Sequence, residues 1–140
     1  MRKTKLEKEF AGHILWLQRY YRKSKNNPVN SILLDMLEER EHTAQTDKYS
    51  DNTCQLLFAW LEAITLMINK TDSSVMSVVK AVYVNRSMNM TGAGQRYLHY
   101  GQTKTIEIVR GWFEELTWQH VEAMNRIARS ERYCADRYTK

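Results

Sequence analysis

The side chains best suited to chemistry form a polar group at the start of a helix predicted from about residue 103. They alternate with apolar residues that must face a core, so we expect them to point outward: Gln102, Thr103, Lys104, Glu107 and Arg110. In a DNA major groove an amide suits adenine, a Lys or Arg suits guanine, and a Thr methyl group suits thymine. This set predicts sequence-specific contacts with double-stranded DNA. The alternative is a group of ordinary solvent-facing residues.

Three further cations, Lys80, Arg86 and Arg96, precede this helix. Cations of this kind contact phosphates, which orient a protein on DNA without specifying a sequence. Glu107 counts mildly against the DNA hypothesis, since phosphates repel a carboxylate that does not accept a hydrogen bond from a cytosine amino group.

The predicted elements around these residues follow the order of a helix-turn-helix unit. An apolar helix runs into a break at residues 85–88, and a short helix follows with small residues at 91–94. A second break at residues 99–101 leads into the long helix. The small residues would let the two helices pack closely. Gly101 is expected to supply the positive φ of the turn between them.

Sequence motifs of catalysis are missing, so the sequence predicts a binding protein and not an enzyme. The four His residues lie in four separate segments, and Glu38, Glu39 and Glu41 fall in a polar run without apolar surroundings. Cys54 and Cys134 stand far apart, and we expect both to be reduced. No spacing typical of a metal site occurs. We therefore expect no catalytic residue, no metal and no cofactor.

Composition favours an all-α fold of about six helices in one domain. The chain has 140 residues, of which 43% are apolar, with a single Pro and five Gly, and this is typical of long helices. It contains no run of 18 apolar residues and no apolar signal segment. The sequence thus predicts no membrane partner and a cytoplasmic location.

Charge is unevenly distributed along the chain. The net charge is +5, but residues 1–25 carry eight Lys or Arg against two Glu, and residues 26–70 carry three against seven acidic residues. Basic ends around an acidic middle indicate a polyanionic partner at the ends. A solvated surface helix would explain the N-terminal charge equally well.

Apolar periodicity and capping residues predict the helix boundaries. The first helix should cover 4–25 and end at Asn26-Asn27-Pro28. The second should begin near Asn30 or Ser31, the third near residues 50–52 with Leu56 on its apolar face, and the fourth near 71–73. Thr117 could cap a last helix over 118–133 with Val121 on its apolar face. We divide the domain into an N-terminal helical part (1–70), the helix-turn-helix unit (71–118) and a basic C-terminal helix and tail (119–140).

The segment from Tyr83 resembles the helix-turn-helix of sigma-factor domain 4, and more closely that of the small Q antiterminators of lambdoid phages. In that family an apolar helix ends in a Tyr-Val pair, followed by Met-Ser/Thr-x-Ala-Gly and a further Gly seven residues on. The counterparts here are Tyr83-Val84, Met90-Thr91-Gly92-Ala93-Gly94 and Gly101. The likeness covers roughly 40 of the 140 residues.

The resemblance implies a transcription antitermination factor that acts in the cytoplasm of a bacterial host cell. Such a protein binds DNA at a late promoter, loads onto RNA polymerase that sigma factor holds at a pause, and suppresses terminators downstream. The basic ends of the chain would suit contact with polymerase or with nascent RNA. Two alternatives remain open: a conventional repressor or activator, and a small helical inhibitor that binds a protein and not DNA.

Overall fold

Side-chain caps determine where five helices of this chain begin. In the computed structural model, which describes residues 4–23, 31–44 and 51–128, an oxygen of each capping side chain accepts a hydrogen bond from a backbone N–H of the first turn. The capping residues are Thr4, Ser31, Asp51, Asp72 and Asn89. Each satisfies an N–H group that the helix itself leaves unpaired. The predicted helix starts at Ser31, Asp51 and Asp72 are confirmed.

The described residues form an all-α domain, as predicted. Its helices are α1 (Lys5–Glu9), α2 (Ala11–Tyr21), α3 (Ile32–Thr43), α4 (Asn52–Lys70), α5 (Ser73–Val79), α6 (Met90–Ala93) and α7 (Gln102–Ala128). Two π-helical turns, Lys80–Val84 and Gly94–Leu98, extend α5 and α6.

The predicted first helix, 4–25, is wrong in both its continuity and its end. Phe10 leaves the helical conformation and separates α1 from α2, and its ring stacks 5.1 Å from the ring of Phe113. The second helix then ends at Tyr21, because the Arg22 carbonyl accepts a hydrogen bond from the N–H of Ile32 at 2.8 Å. The proposed stop at residues 26–28 lies outside the described residues.

The core is built where α4 and α7 pack antiparallel. The indole N–H of Trp112 donates to the Thr71 hydroxyl at 2.9 Å, near the end of α4. Toward the other end of α7, Arg126 forms an ion pair with Glu62. This packing joins the N-terminal part of the chain to the C-terminal part, so the described residues form one domain.

A single helix, α7, replaces the two helices predicted on either side of Thr117. The Thr117 hydroxyl donates to the Phe113 carbonyl at 2.9 Å, which is a contact inside a continuing helix and not a cap. The predicted end at residue 133 lies outside the described residues. Val121 is 44% exposed, because it lies on the far side of α7 from the buried Leu116 and Ala123.

Two more apolar side chains are less buried than the sequence predicted. Leu56, expected on the core face of α4, is 37% exposed, whereas Leu57 beside it is buried. Ile106 is one of the apolar residues of the long helix that were expected to face the core. It is half-buried, and Thr105 beside it is fully buried. Thr105 can be buried because its hydroxyl donates to the Gly101 carbonyl at 2.8 Å.

Candidate nucleic-acid interface

The start of α7 is held by a very close approach to the end of α6. A Cβ atom placed on Gly94 would lie 2.0 Å from the Thr105 hydroxyl oxygen and 2.8 Å from its Cβ atom. Only a glycine fits at this distance. The two helices therefore cross at Gly94 and Thr105, as the small residues of the short helix predicted.

The turn between these helices uses His99 and not Gly101 for its left-handed residue. His99 has φ 61° and ψ 33°, whereas no glycine among the described residues has a positive φ. The expectation for Gly101 was wrong. The N–H groups of His99 and Tyr100 both donate to the Gly94 carbonyl, which closes the end of the π-helical turn and fixes the left-handed conformation one residue after it.

Four of the predicted DNA-contacting residues lie exposed on the first two turns of α7: Gln102, Thr103, Lys104 and Glu107. The side chains of Lys104 and Glu107 are 3.9 Å apart across one turn. This ion pair is exposed and weak, so either side chain can turn to an outside partner at little cost.

Arg110, the fifth predicted residue of α7, is less free to contact DNA than these four. Both carboxylate oxygens of Glu9 accept from its guanidinium at 2.7 Å, and the Arg110 side chain is 31% exposed. The Glu9 carboxylate raises the pKa of Arg110. Arg110 therefore joins α7 to α1, and sequence spacing alone could not show a partner 101 residues away.

The three predicted phosphate contacts have different surroundings. Lys80 is half-buried with its ammonium 4.8 Å from the ring of Tyr21. Arg86 is exposed in the first break, where it has a φ of 52°. Arg96 is exposed on the π-helical turn of α6, with its guanidinium 5.6 Å from the ring of Tyr97. Arg96 is the phosphate candidate that lies on the same short helix as the Gly94 contact.

A column of planar side chains, not predicted from sequence, lies where α2, α4 and α7 meet. The Arg19 guanidinium lies over the ring of Trp16, 4.8 Å from its centre. Trp16 stacks on Trp60 with ring centres 6.0 Å apart, and Trp60 stacks on His120 at 3.9 Å. We call this set the stacked column. Its members come from three helices, so no periodicity within one helix could reveal it.

Two histidines at this junction are held in their neutral form. Burial lowers the pKa of His120 to about 4, with a smaller contribution from His13, and burial also lowers the pKa of His13. His13 Nε2 lies 2.7 Å from the Thr117 hydroxyl oxygen. Nε2 of His120 is buried with no hydrogen-bond partner among the described residues.

The fold should therefore lose stability as the pH falls from about 6.5 toward 4. In that range the unfolded chain binds a proton at His120 and the folded chain does not, so acid favours unfolding. Because the ring is only half-buried, we discount the full linkage and expect a loss of about 1–2 kcal/mol in the free energy of unfolding. Urea unfolding at pH 7 and pH 4.5 measures it.

The matched variant is His120→Phe, which keeps a planar ring against Trp60 and removes the titrating group. Its stability should fall less between the two pH values than that of the parent protein. An equal fall in both proteins would show that other groups cause the acid sensitivity.

The described residues contain no group of three or more His, Cys, Asp or Glu side chains placed to hold a metal ion. Within the same residues no helix has the length and apolar character needed to cross a membrane. Cys54 is buried at the start of α4, and Cys134 lies outside the described residues. Glu38, Glu39 and Glu41 lie on α3.

Comparison with known proteins gives no relative from which a function could be transferred. No protein-family model matches the chain, no curated protein is detectably similar to it, and no solved structure matches its fold.

Proposed function

We propose that this protein is a sequence-specific DNA-binding transcription regulator whose α7 helix enters the major groove with its first two turns. The observation that carries the proposal is the contact between Gly94 and Thr105. It sets a short helix against the start of a long one, across a three-residue turn, and leaves Gln102 and Lys104 exposed. A helix presented by its N-terminal turns is the arrangement by which helix-turn-helix proteins reach base edges.

Within this class we propose transcription antitermination as the specific role. The support is the resemblance of residues 83–101 to the small Q antiterminators, together with the helix order that the structure shows for that segment. On this hypothesis the protein binds DNA near a promoter, loads onto paused RNA polymerase with sigma factor, and suppresses terminators without covalent chemistry. A conventional repressor or activator would bind the same way and act without polymerase.

The DNA proposal predicts a specific effect of Lys104→Ala. A binding site is first selected from randomised duplexes with the parent protein. On that site Lys104→Ala or Gln102→Ala should each cost about 1–3 kcal/mol of binding free energy and relax the preference at one base pair. Fluorescence anisotropy on the selected site and on its single-base variants measures both quantities.

The structure supplies two matched controls for this experiment. Lys80→Ala also removes one lysine, but its ammonium packs over Tyr21, so we expect the base preference to be unchanged. Arg96→Ala should weaken binding to all duplexes alike and reduce the salt dependence, as for a phosphate contact. An equal loss on every sequence for Lys104→Ala would contradict base recognition by α7.

Antitermination is tested separately by transcription with purified polymerase through a terminator, on a template carrying the selected site at the promoter. Read-through that increases with the protein and requires the site would support the proposal. DNA binding without any effect on read-through would favour a conventional regulator. If the protein neither binds DNA nor increases read-through, a protein-binding inhibitor is the favoured function.

A further inference from the structure

Helices α1 and α2 and the two residues that follow α2 carry cations that make no ion pair with any described residue. Their side chains are exposed, except for the half-buried Arg19: Lys5, Lys8, Arg19, Arg22 and Lys23. By contrast, several cations elsewhere are matched with carboxylates, as Arg40 is with Asp51 and Arg110 with Glu9. We call these five residues the cationic strip. Unmatched charge of one sign concentrated in one segment of the chain favours a polyanionic ligand.

The acidic side chains of α1 neutralise the strip only in part. Glu9 is engaged by the Arg110 guanidinium through both of its oxygens. Glu7 accepts a hydrogen bond from the neutral Thr4 hydroxyl at 3.3 Å, so its charge still offsets one of the two lysines of α1. Residues 11–23 contain no acidic residue at all. The charged side chains of residues 11–23 are therefore Arg19, Arg22 and Lys23, and a negatively charged ligand meets only positive charge at the C-terminal end of α2.

One member of the strip is also the outer end of the stacked column. Arg19 lies over the ring of Trp16, Trp16 stacks on Trp60, and Trp60 stacks on His120. The guanidinium is therefore held in place by a cation–π contact with the Trp16 ring. Guanidinium planes and aromatic rings are the surfaces on which proteins stack unpaired bases. Beside it, Leu15 is 44% exposed and adds apolar area for a base or sugar.

We propose that the cationic strip and the outer end of the stacked column bind single-stranded nucleic acid. Lys8, Arg22 and Lys23 contact phosphates, and one base stacks at Arg19 above Trp16. A duplex fits this surface less well, since its bases are stacked on one another and only its phosphates are available. This inference concerns α1 and α2 and does not depend on DNA binding by α7.

The test is fluorescence anisotropy with labelled 12-nucleotide oligo(U) and oligo(dT), compared with a 12-base-pair duplex of random sequence, over a range of KCl concentrations. We expect the parent protein to bind one or both single strands more tightly than the duplex. Binding that is equal for strands and duplex, or absent for both strands, would overturn the proposal. Binding only to vesicles of anionic lipid would overturn it as well.

Two variants separate stacking from charge. Arg19→Lys keeps the charge and removes the planar group, so it should weaken single-strand binding about fivefold or more with an unchanged salt dependence. The double substitution Arg22→Gln and Lys23→Gln should reduce the slope of log affinity against log salt by roughly 1.4, as expected for two lost phosphate contacts on a single strand. Unchanged affinity in Arg19→Lys would overturn the stacking contact.

Lys104→Ala is the control that keeps this proposal distinct from DNA recognition by α7. It also removes one positive charge, but from α7 and not from the cationic strip, and single-strand affinity should stay within twofold of the parent value. Arg19→Lys should in turn leave recognition of a selected duplex site unchanged. Loss of single-strand binding in both variants alike would indicate non-specific charge attraction and overturn the proposal. Thermal unfolding of each variant verifies that the fold is intact.

Discussion

Replacing Gly94 by Ala should destabilise the protein by about 2–3 kcal/mol and abolish recognition of a selected DNA site. The added Cβ atom would lie 2.0 Å from the Thr105 hydroxyl oxygen and 2.8 Å from two Thr105 carbon atoms. Thr105 is fully buried and anchored to the Gly101 carbonyl, so it has no free space to move into. The helices α6 and α7 must separate, which is the overpacking that costs this much in well-packed cores. Urea unfolding and duplex binding measure the two effects.

Gly111→Ala is the matched control for this substitution. Gly111 lies in the middle of α7, is exposed, and has no atom within 4 Å of an added Cβ. The same chemical change should therefore increase stability by about 0.5–1 kcal/mol through helix propensity alone. A stability of Gly94→Ala equal to that of the parent protein would show that α6 and α7 do not meet as closely as described.

Truncating Phe113 to Ala should cost about 3–5 kcal/mol, the range for a fully buried phenylalanine. Phe113 has no solvent exposure, and its ring meets Phe10 at 5.1 Å and Tyr83 at 5.3 Å between ring centres. It thereby joins α7 to the break between α1 and α2 and to the π-helical turn after α5. Urea unfolding followed by both far-ultraviolet circular dichroism and tryptophan fluorescence measures the loss.

The two signals should change together in the Phe113→Ala protein, because one side chain supports several segments of a single cooperative unit. Trp118→Ala is the control: it also truncates an aromatic residue of α7, but one that is 56% exposed, and it should change stability by less than about 1 kcal/mol. Separate transitions for the two signals would contradict the description of one domain.

Local sequence rules predicted the parts of the fold that depend on neighbouring residues. Ser31, Asp51 and Asp72 cap helices because a short polar side chain satisfies N–H groups two or three residues away. The breaks at 85–88 and 99–101 were also predicted from neighbouring residues, because they interrupt the apolar period of a helix. The exposure of Gln102 and Lys104 followed from their position on a helix with an apolar face.

Features that depend on distant contacts could not be predicted. The break at Phe10 follows from its packing against Phe113. Arg110 is engaged in an ion pair because Glu9 lies beside it on another helix. The left-handed residue is His99 and not Gly101, because the π-helical turn ends one residue before His99. The turn itself was predicted correctly at residues 99–101, and only its left-handed residue was wrong. The stacked column likewise forms only when three helices are packed, because Trp16, Trp60 and His120 come from different helices.

The continuity of α7 has a mechanical consequence. A helix rises 1.5 Å per residue, so the exposed Trp118 lies roughly 21 Å along the same rod from Lys104. Helix α4 braces the rod along its C-terminal half, through contacts such as that of Glu62 with Arg126. Two bodies held at these two points would keep a fixed spacing, and rotation of one about the helix axis would turn the other with it. With two such partners bound, α7 would act as a rigid spacer between them.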